Sequence, residues 1–357
     1  MKKRIVVKVG SNVLTRKDGK LDITRMSALV DQMAQLHRAG HELILVSSGA
    51  VACGRGLLNV SRRLDTVEQR QLFSSIGQVK LINLYYDLFR EYHIPVGQLL
   101  TMKESFATRR EYLNQRACMD VMLQNGVIPV VNENDTVSVT ELMFTDNDEL
   151  SGLIASMMDA DLLIILSNID GIYDGMPGAE GSRLIERIAP DDDATQYVQA
   201  VKSGFGRGGM RTKCGIARRV ADEGIAVMIA NGRREEVLTT LVEQPSKIPH
   251  TLFVPATQPV SGVKKWIAHS GSFTKGIAYV NDQAAKALLS ERVTSLLLVG
   301  VTRIEGEFEE GDIIAIHDSH DTLIAIGRSA YDSESARKLA GAHAQRPLVH
   351  YDYLYIE

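Results

Sequence analysis

The sequence lacks the features of a disulfide-stabilised, membrane-bound or secreted protein. It has only three cysteines in 357 residues, an odd number without Cys-x-x-Cys spacing, so neither a disulfide framework nor a cysteine zinc site is predicted. Its unbroken apolar runs are a few residues long, far below the ~20 that a membrane span requires. The charged N-terminus is followed by a short apolar stretch that Lys8 interrupts, which is not a signal peptide. We therefore expect a soluble, cytoplasmic protein without membrane contacts.

An excess of charge of one sign is also missing. The 40 Lys and Arg residues face 44 Asp and Glu residues, a net charge of −4, so no global basic field draws the chain onto nucleic acid or anionic lipid. A hydrophobic fraction of 45% with only 9 prolines is typical of a globular protein with a sizeable core. Because a single core stops growing near ~250–300 residues, the length suggests two domains.

Short apolar strands alternate with helices along the first two thirds of the chain. Residues 4–9 are mostly β-branched and end at a Gly-Ser-Asn turn, which predicts a buried strand. From Thr24 to Arg38 the apolar residues recur at helical spacing. The same unit repeats as far as a strand near 225–230. This alternation predicts an α/β fold with an open, mainly parallel sheet sandwiched by helices, in which ligands bind at the carboxyl ends of the strands.

A second, smaller domain is expected after a change in composition near residue 243. Four of the nine prolines fall between 243 and 260, in a stretch with little periodicity that indicates a linker. The chain then shows short strand-like segments between turns, including one at 295–299, which predict a mainly β module. The predicted domains are 1–245 and 261–357, joined by a linker at 246–260.

Lys8 and the Ser47-Ser48-Gly49-Ala50 segment are the first candidate site residues. Lys8 lies inside an otherwise apolar strand, where a buried ammonium is unfavourable unless an anion meets it. That position favours a phosphate partner, although a lysine that reaches solvent from an edge strand has the same pattern. The serine segment offers hydroxyls and the free N–H groups of a helix start. A simple helix N-cap explains it equally well.

Two acidic clusters follow along the chain. Asn132-Glu133-Asn134-Asp135 stands at the carboxyl end of a buried strand, and Asp146-Asn147-Asp148-Glu149 begins a helix. Acidic residues at a helix start are often caps, but two such clusters on one edge of a sheet are more polarity than packing requires. They could bind the ammonium of an amino acid, hold magnesium through water, or orient neighbouring lysines.

A glycine-rich loop from Gly204 to Lys213 is the strongest single motif. It contains Gly-x-Gly-x-x-Gly, but a predicted helix at 193–202 precedes it where a dinucleotide-binding motif needs a strand. It is not a P-loop either, because Lys213 follows Thr212. A loop that brings Arg207, Arg211 and Lys213 to the start of a helix suits a polyphosphate. A plain loop-to-helix connection is the alternative.

Six segments in this order resemble the glutamate kinases of the amino acid kinase family: KVGSNVLT, VSSGAVACG, VIPVVNENDTV, FTDNDELSGLIA, LLIILSNIDGIY and GRGGMRTK. Residues 260–350 resemble a PUA domain. The resemblance implies phosphorylation of the γ-carboxylate of L-glutamate by ATP, the first step of proline biosynthesis, with Mg²⁺ carried by ATP and no metal held by the protein. It also implies a homodimer or homotetramer, and feedback inhibition by proline bound over the glutamate pocket and the 138–146 segment.

The resemblance also assigns roles to residues. Lys8 and Lys213 match the lysines that contact the transferred phosphoryl group, and Asp148 matches the aspartate that holds them. The implied substrate-binding residues are Ser48, Gly49, Asn132, Asp135, Asp146 and Asn147. The implied ATP-binding residues are Lys8, Gly10, Ser167, Asn168, Arg207, Gly208, Gly209, Met210, Arg211, Thr212 and Lys213. The chain departs from the common pattern at Ser11, where many members have Gly-Thr-Ser, and at Ser167-Asn168, where Thr-Asp is commoner.

Two other functions compete with this one. A kinase of another carboxylate or of carbamate would share the fold and the lysines. An RNA-binding protein would act through the PUA-like domain, because PUA domains are known chiefly as RNA-binding modules. Against RNA binding, residues 260–357 contain 10 basic and 13 acidic residues, a balance of −3, which gives no electrostatic footprint.

Overall fold

The structure is a computed structural model of the chain. It describes residues 2–58, 60, 64–106, 109–137, 144, 146–190, 192, 210–257, 267, 274–290, 294–344 and 346–356. The predicted helix at 193–202, the site residues Arg207, Gly208 and Gly209, and most of the 138–146 segment lie outside these residues. The chain divides into two compact units, Met1–Lys103 with Asn114–Pro259, and Glu104–Leu113 with Val260–Glu357. In the described part of the chain, every helix is too short or too polar to cross a membrane.

The first unit contains an eight-stranded sheet in the order β3-β4-β2-β1-β5-β7-β8-β6. The six strands from β3 to β7 run parallel, and β8 pairs antiparallel with β7. This confirms the predicted α/β fold with a mainly parallel sheet. The strands are β1 (Arg4–Val9), β2 (Glu42–Ser47), β3 (Val96–Thr101), β4 (Ile128–Glu133), β5 (Leu162–Ser167), β6 (Arg187–Ile188), β7 (Ala226–Asn231) and β8 (His250–Phe253).

Helices cover both faces of this sheet, and β1 shows how its side chains are divided between them. Ile5, Val7 and Val9 pack in one core with α2, α4 and α8. Because side chains alternate along a strand, Val6 and Lys8 point to the opposite face, where α6 packs against β1. The helices are α1 (Ser11–Leu14), α2 (Ile23–Arg38), α3 (Ala50–Arg55), α4 (Thr66–Arg90), α5 (Arg109–Gln124), α6 (Asn147–Met157), α7 (Met210–Asp222) and α8 (Val237–Glu243).

The second unit has its own five-stranded sheet, in the order β10-β9-β11-β12-β13, and its own apolar core. All its strand pairs are antiparallel except β9 with β11. It is the smaller, mainly β domain that the sequence predicts. Its elements are β9 (Gly276–Val280), α9 (Asp282–Leu288), β10 (Val301–Gly306), β11 (Ile313–His317), β12 (Leu323–Ser329), α10 (Ser333–Leu339) and β13 (Val349–Ile356).

Two segments differ from their sequence predictions. The strand predicted at 295–299 is wrong: Leu298–Gly300 forms a 3-10 turn and the strand begins at Val301, because the apolar residues that suggested a strand anchor a turn in the core. The stretch predicted as a linker contains β8, which pairs with β7 and β6. Its Thr251 and Phe253 are fully buried, whereas the flanking prolines suggested an irregular segment.

Helices α3 and α4 touch backbone to backbone. A Cβ at Gly77 would lie 1.8 Å from the carbonyl oxygen of Ala50, and one at Gly54 would lie 1.8 Å from that of Phe73. Only glycine fits at such an approach. The turn before α3 also requires glycine, because Gly49 has a φ of 108°. The two contacts fix α3, and with it Ser48 and Gly49, against the long helix α4.

We expect Gly77→Ala to lower the free energy of unfolding by about 1–3 kcal/mol, because the added methyl group must push α3 away from α4. The measurement is urea unfolding followed by circular dichroism. Gly215→Ala is the control, since a Cβ at this helical glycine meets no atom within 4 Å and is expected to stabilise the protein by up to ~1 kcal/mol. Equal stability of the two variants would contradict the close approach.

Candidate active site

Lys8 lies at the centre of the large sheet. Its strand β1 runs between β2 and β5, with Lys8 in register with Val46 and Ile165. The residue is only 5% exposed, so it does not reach solvent from an edge strand. A buried ammonium at the carboxyl end of a central parallel strand requires an anionic partner.

That partner is Asp148 in the first turn of α6. Its Oδ1 lies 2.5 Å from Lys8 Nζ and its Oδ2 lies 2.6 Å from Lys213 Nζ. Asp148 is completely buried, and the side chains of Lys8 and Lys213 are 6% and 13% exposed. One carboxylate thus holds two ammonium groups together and leaves one net positive charge. The position of Asp148 near the positive end of α6 adds to the stability of its charge.

The environment separates the pKa values of Asp146 and Asp148. Burial alone would raise the pKa of Asp148, but Lys8 and Lys213 hold it below its ordinary value. Burial and the neighbouring charge of Asp148 raise the pKa of Asp146 to about 6, against the opposing effect of the two lysines. The two carboxyl groups are therefore suited to different roles.

Asp146 is the N-cap of α6. Its Oδ1 accepts hydrogen bonds from the backbone N–H of Asp148 at 2.9 Å and of Glu149 at 3.2 Å. Its Oδ2 is buried and accepts no hydrogen bond from the residues that the structure describes. This oxygen is available to a cationic group of a ligand.

Close packing of α6 against α7 brings Lys213 to Asp148. A Cβ at Gly152 on α6 would lie 2.9 Å from Cγ2 of Ile216, so a larger residue would separate the helices. Lys213 precedes Ile216 by three residues and therefore shares its helix face. Met210, Arg211 and Thr212 form the first turn of α7 with Lys213.

An amide network connects β2, β4 and α6. The side-chain nitrogen of Asn147 lies 3.0 Å from Ser48 Oγ and 2.9 Å from Asn132 Oδ1, and 3.1 Å from the backbone oxygen of Ser47. Asn132 in turn donates from Nδ2 to Gln78 Oε1 at 2.8 Å. Three predicted substrate-binding residues, Ser48, Asn132 and Asn147, are thus brought together. Sequence reasoning missed Gln78, since no motif surrounds it on α4.

A second polar group surrounds Asp135. Arg70 on α4 donates from Nε to Asp135 Oδ1 at 2.5 Å and from Nη2 to Glu133 Oε2 at 2.6 Å. Glu133 is buried, and its Oε1 accepts from the backbone N–H of Phe144 at 3.1 Å. Burial raises the pKa of Glu133 and Arg70 opposes the rise. Sequence reasoning missed Arg70 as well, because it lies 63 and 65 residues from its partners.

The other side of Lys8 is formed by the ends of β1 and β5. The backbone N–H of Gly10 donates to the carbonyl oxygen of Leu166 at 3.3 Å. A Cβ at Gly10 would lie 3.4 Å from Lys8 Nζ. Ser167 ends β5, and Asn168 follows it. Gly10, Ser167 and Asn168 therefore occupy the same edge of the sheet as the two lysines.

The donor set fits a magnesium ion that arrives on phosphates. Within the described residues, no group of three or more His, Cys, Asp or Glu side chains is placed to hold a metal. Both oxygens of Asp148 face lysines, whereas Oδ2 of Asp146 is buried and accepts no hydrogen bond from the described residues. Mg²⁺ keeps several waters and needs only one or two carboxylates when phosphates supply the other ligands.

Comparison with known proteins identifies the family of the chain. The sequence model of the amino acid kinase family matches residues 3–231. The chain belongs to the amino acid kinase family. The model of the PUA domain matches residues 276–351, which correspond to the smaller β domain.

Relatives of the chain within the amino acid kinase family extend over nearly its whole length. A protein of Bacteroides thetaiotaomicron named glutamate 5-kinase is 61% identical over 354 residues, 99% of this chain and 98% of that protein. One of Chlorobaculum tepidum with the same name is 46% identical over 356 residues, 99% and 97% of the two chains. The crystal structure of UMP kinase from Ureaplasma parvum matches with a TM-score of 0.50 at 16% identity, covering 71% of this chain and 99% of that one. It supports the fold alone.

We expect Asp148→Asn to destabilise the protein by about 3–5 kcal/mol at neutral pH, because two buried ammonium groups lose their counter-charge. Since the folded-state pKa of Asp148 is lowered, its contribution is present above its ordinary pKa of 3.8 and is lost as the pH falls further. Urea unfolding at pH 7 and below pH 4 measures the difference from wild type, which should shrink in acid.

Asp87→Asn is the matched control. Asp87 forms an exposed ion pair with Arg90, and its side chain is 58% exposed, so its removal should change stability by less than ~0.5 kcal/mol. If the two variants were equally stable at pH 7, Asp148 would not be the counter-charge of the lysines.

Proposed function

We propose that the chain transfers the γ-phosphoryl group of ATP to the γ-carboxylate of L-glutamate and forms L-glutamyl 5-phosphate, the first step of proline biosynthesis. The observation that carries this proposal is the buried Lys8–Asp148–Lys213 group, with its net positive charge, beside the amide network of Ser48, Asn132 and Asn147. The full-length relatives named glutamate 5-kinase support the same acceptor.

The mechanism follows from charge. A carboxylate is already a nucleophile, so no general base is required. The enzyme must instead hold two anionic groups, the γ-carboxylate of glutamate and the γ-phosphate of ATP, in line with each other. Lys8 and Lys213 offset their repulsion and stabilise the charge on the phosphoryl oxygens in the transition state. Asp148 keeps the two ammonium groups fixed before the substrates bind. When bound with ATP, Mg²⁺ neutralises charge on the phosphates.

The acceptor is proposed to lie between the carboxyl ends of β2 and β4 and the first turn of α6. Asp135 and Asp146 receive its α-ammonium group. The hydroxyl and amide groups of Ser48, Asn132 and Asn147, with the backbone of Gly49, hold its α-carboxylate. The γ-carboxylate then points toward Lys8.

The nucleotide is proposed to occupy the opposite side of Lys8. Its phosphates meet Gly10, Lys8 and the first turn of α7, and its base lies near Ser167 and Asn168. Arg207, Gly208 and Gly209 are proposed to complete the phosphate site. The proposed ATP-binding part of α7 comprises Met210, Arg211, Thr212 and Lys213.

The remaining parts of the proposal concern organisation and regulation. We propose a kinase domain at 1–245 and a PUA-like domain at 261–357. Because β8 pairs with β7 of the large sheet, we propose that the kinase domain extends to about residue 253. The enzyme is proposed to be cytoplasmic, to form a homodimer or homotetramer, and to be inhibited by proline, which carries the same α-amino and α-carboxylate groups as glutamate. RNA binding by the PUA-like domain is the alternative in a different functional class.

The proposed reaction is tested by ADP release with Mg²⁺ and ATP. The acceptors are L-glutamate, L-aspartate, N-acetylglutamate, carbamate and UMP. We expect turnover with L-glutamate alone. Turnover with a different acceptor would keep the fold and the lysine chemistry but reject the substrate. Silence with all five would favour the RNA-binding alternative, which a gel shift with structured RNA at several salt concentrations would then examine.

We expect Lys213→Ala to reduce kcat by about 10²–10³-fold, the usual effect of removing one charge-stabilising donor, with a much smaller change in KM for glutamate. Asn147→Ala should do the reverse, raising KM for glutamate most, because Asn147 is placed against the acceptor and not against the phosphates. Steady-state kinetics with varied glutamate measures both. Near-wild-type kcat in Lys213→Ala would reject the mechanism.

The ionisation of Asp146 should appear in the pH dependence of glutamate binding. Because its pKa is raised to about 6, the carboxylate gains a proton as the pH falls through 6 and can then no longer pair with the α-ammonium. We expect KM for glutamate to rise below pH 6 in the wild type. In Asp146→Asn, KM should be higher at pH 7.5 and nearly constant across this range.

The Asn side chain is a good N-cap, so the variant should keep the start of α6. Its unfolding midpoint in urea at pH 7.5 provides the control for the fold. If KM for glutamate in Asp146→Asn still rose below pH 6 as it does in the wild type, a group other than Asp146 would be responsible for the rise.

A further inference from the structure

The first ten residues of α4 hold the loop that follows β4. Arg70 contacts two carboxylates here, that of Glu133 at the end of β4 and that of Asp135 in the loop. Gln71, the next residue, donates from Nε2 to the backbone oxygen of Thr136 at 3.1 Å. The end of β4 and the turn beyond it are therefore attached to α4 at several points.

Arg70 is the charged member of these contacts. Glu133 and Asp135 are two residues apart, and their side chains are only 4% and 12% exposed. Two carboxylates this close and this sheltered repel each other, and without a cation they would separate or share a proton. A guanidinium can donate to both carboxylates at the same time, because its N–H donors are held in a fixed planar fork. With Arg70 present, the three side chains carry one net negative charge.

One net negative charge is the complement of one ammonium group. Glu133 is already fully engaged, since one oxygen accepts from Arg70 and the other from the N–H of Phe144. Asp135 is the more exposed of the two carboxylates and is the one proposed to receive the acceptor. Glu133 thus acts as a structural anion, whereas Asp135 faces the ligand.

We propose that Arg70 is a positioning residue of the acceptor pocket, whose guanidinium holds Asp135 beside Glu133 and offsets the charge of Glu133, so that Asp135 can receive the ammonium group of the acceptor. This inference rests on the proposed function and adds to it a residue that fixes the affinity for an amino acid. Arg70 touches neither substrate in this assignment, and its effect is transmitted through Asp135.

The test compares Arg70→Gln with the double variant Arg70→Gln/Glu133→Gln. In the single variant, two carboxylates lose their shared cation, and we expect KM for L-glutamate to rise about tenfold while kcat and KM for ATP change less than threefold. In the double variant, Asp135 stands without a competing carboxylate, and KM should return at least part of the way to the wild-type value. A merely structural role for Arg70 predicts no such recovery, because Glu133→Gln restores none of the contacts that Arg70 made.

Two further variants keep the test decisive. Arg70→Lys retains the charge without the fork and should give a KM between those of the wild type and Arg70→Gln, even if Arg70→Gln folds poorly. Arg90→Gln removes the same charge from an exposed position on the same helix, where the side chain is 59% exposed, and should leave KM unchanged.

Two results would overturn the role of Arg70: a change of less than twofold in KM for Arg70→Gln, or a double variant no better than the single one. Either is distinguishable from failure of the proposed function, which would show as absence of glutamate turnover in the wild type.

Discussion

The rest of the site depends on one buried carboxylate between two ammonium groups. Asp148 can be charged in the interior only because Lys8 and Lys213 both reach it, and the lysines can be buried only because Asp148 is there. This requires a central position for β1, the start of α6 directly over it, and a close approach of α7 that Gly152 allows. The surplus positive charge that results is set before any ligand binds, as electrostatic catalysis requires.

The long helix α4 is the second constraint, and it acts on the side where the acceptor is proposed to bind. Arg70, Gln78 and Tyr85 are spaced by 8 and 7 residues, which places them within about a quarter turn of each other on the helix. They contact three different segments: the loop after β4, Asn132 and Ser47. The hydroxyl of Tyr85 lies 2.8 Å from Ser47 Oγ, and burial raises its pKa to about 12, so it remains a neutral partner at physiological pH. One rigid helix thus fixes the relative positions of segments that are distant in sequence.

The sequence predicts those features of the fold that depend on local patterns of residues. The strand–helix alternation, the buried position of Lys8 and the polar residues at the strand ends are all local features, and in the described residues they agree with the fold. Arg70 and Gln78 could not be found in this way, because their roles come from partners more than fifty residues away on a helix that carries no motif. Strand β8 was not predicted for a related reason. Its four residues lie between prolines, and they form a strand only by pairing with β7. The assignment of ligands to these residues is a proposal that resemblance and geometry support together.

The first turn of α6 joins the two halves of the site. Asp146, Asn147 and Asp148 are consecutive, so their side chains leave the helix start about 100° apart. Asp146 caps the helix, Asn147 enters the amide network and Asp148 holds the lysines. The distance between the proposed acceptor pocket and the positive charge is therefore fixed by a single helical turn. In-line transfer needs the two reacting groups held about 3–3.5 Å apart, and a misplacement at either end of this turn would alter binding and transfer together.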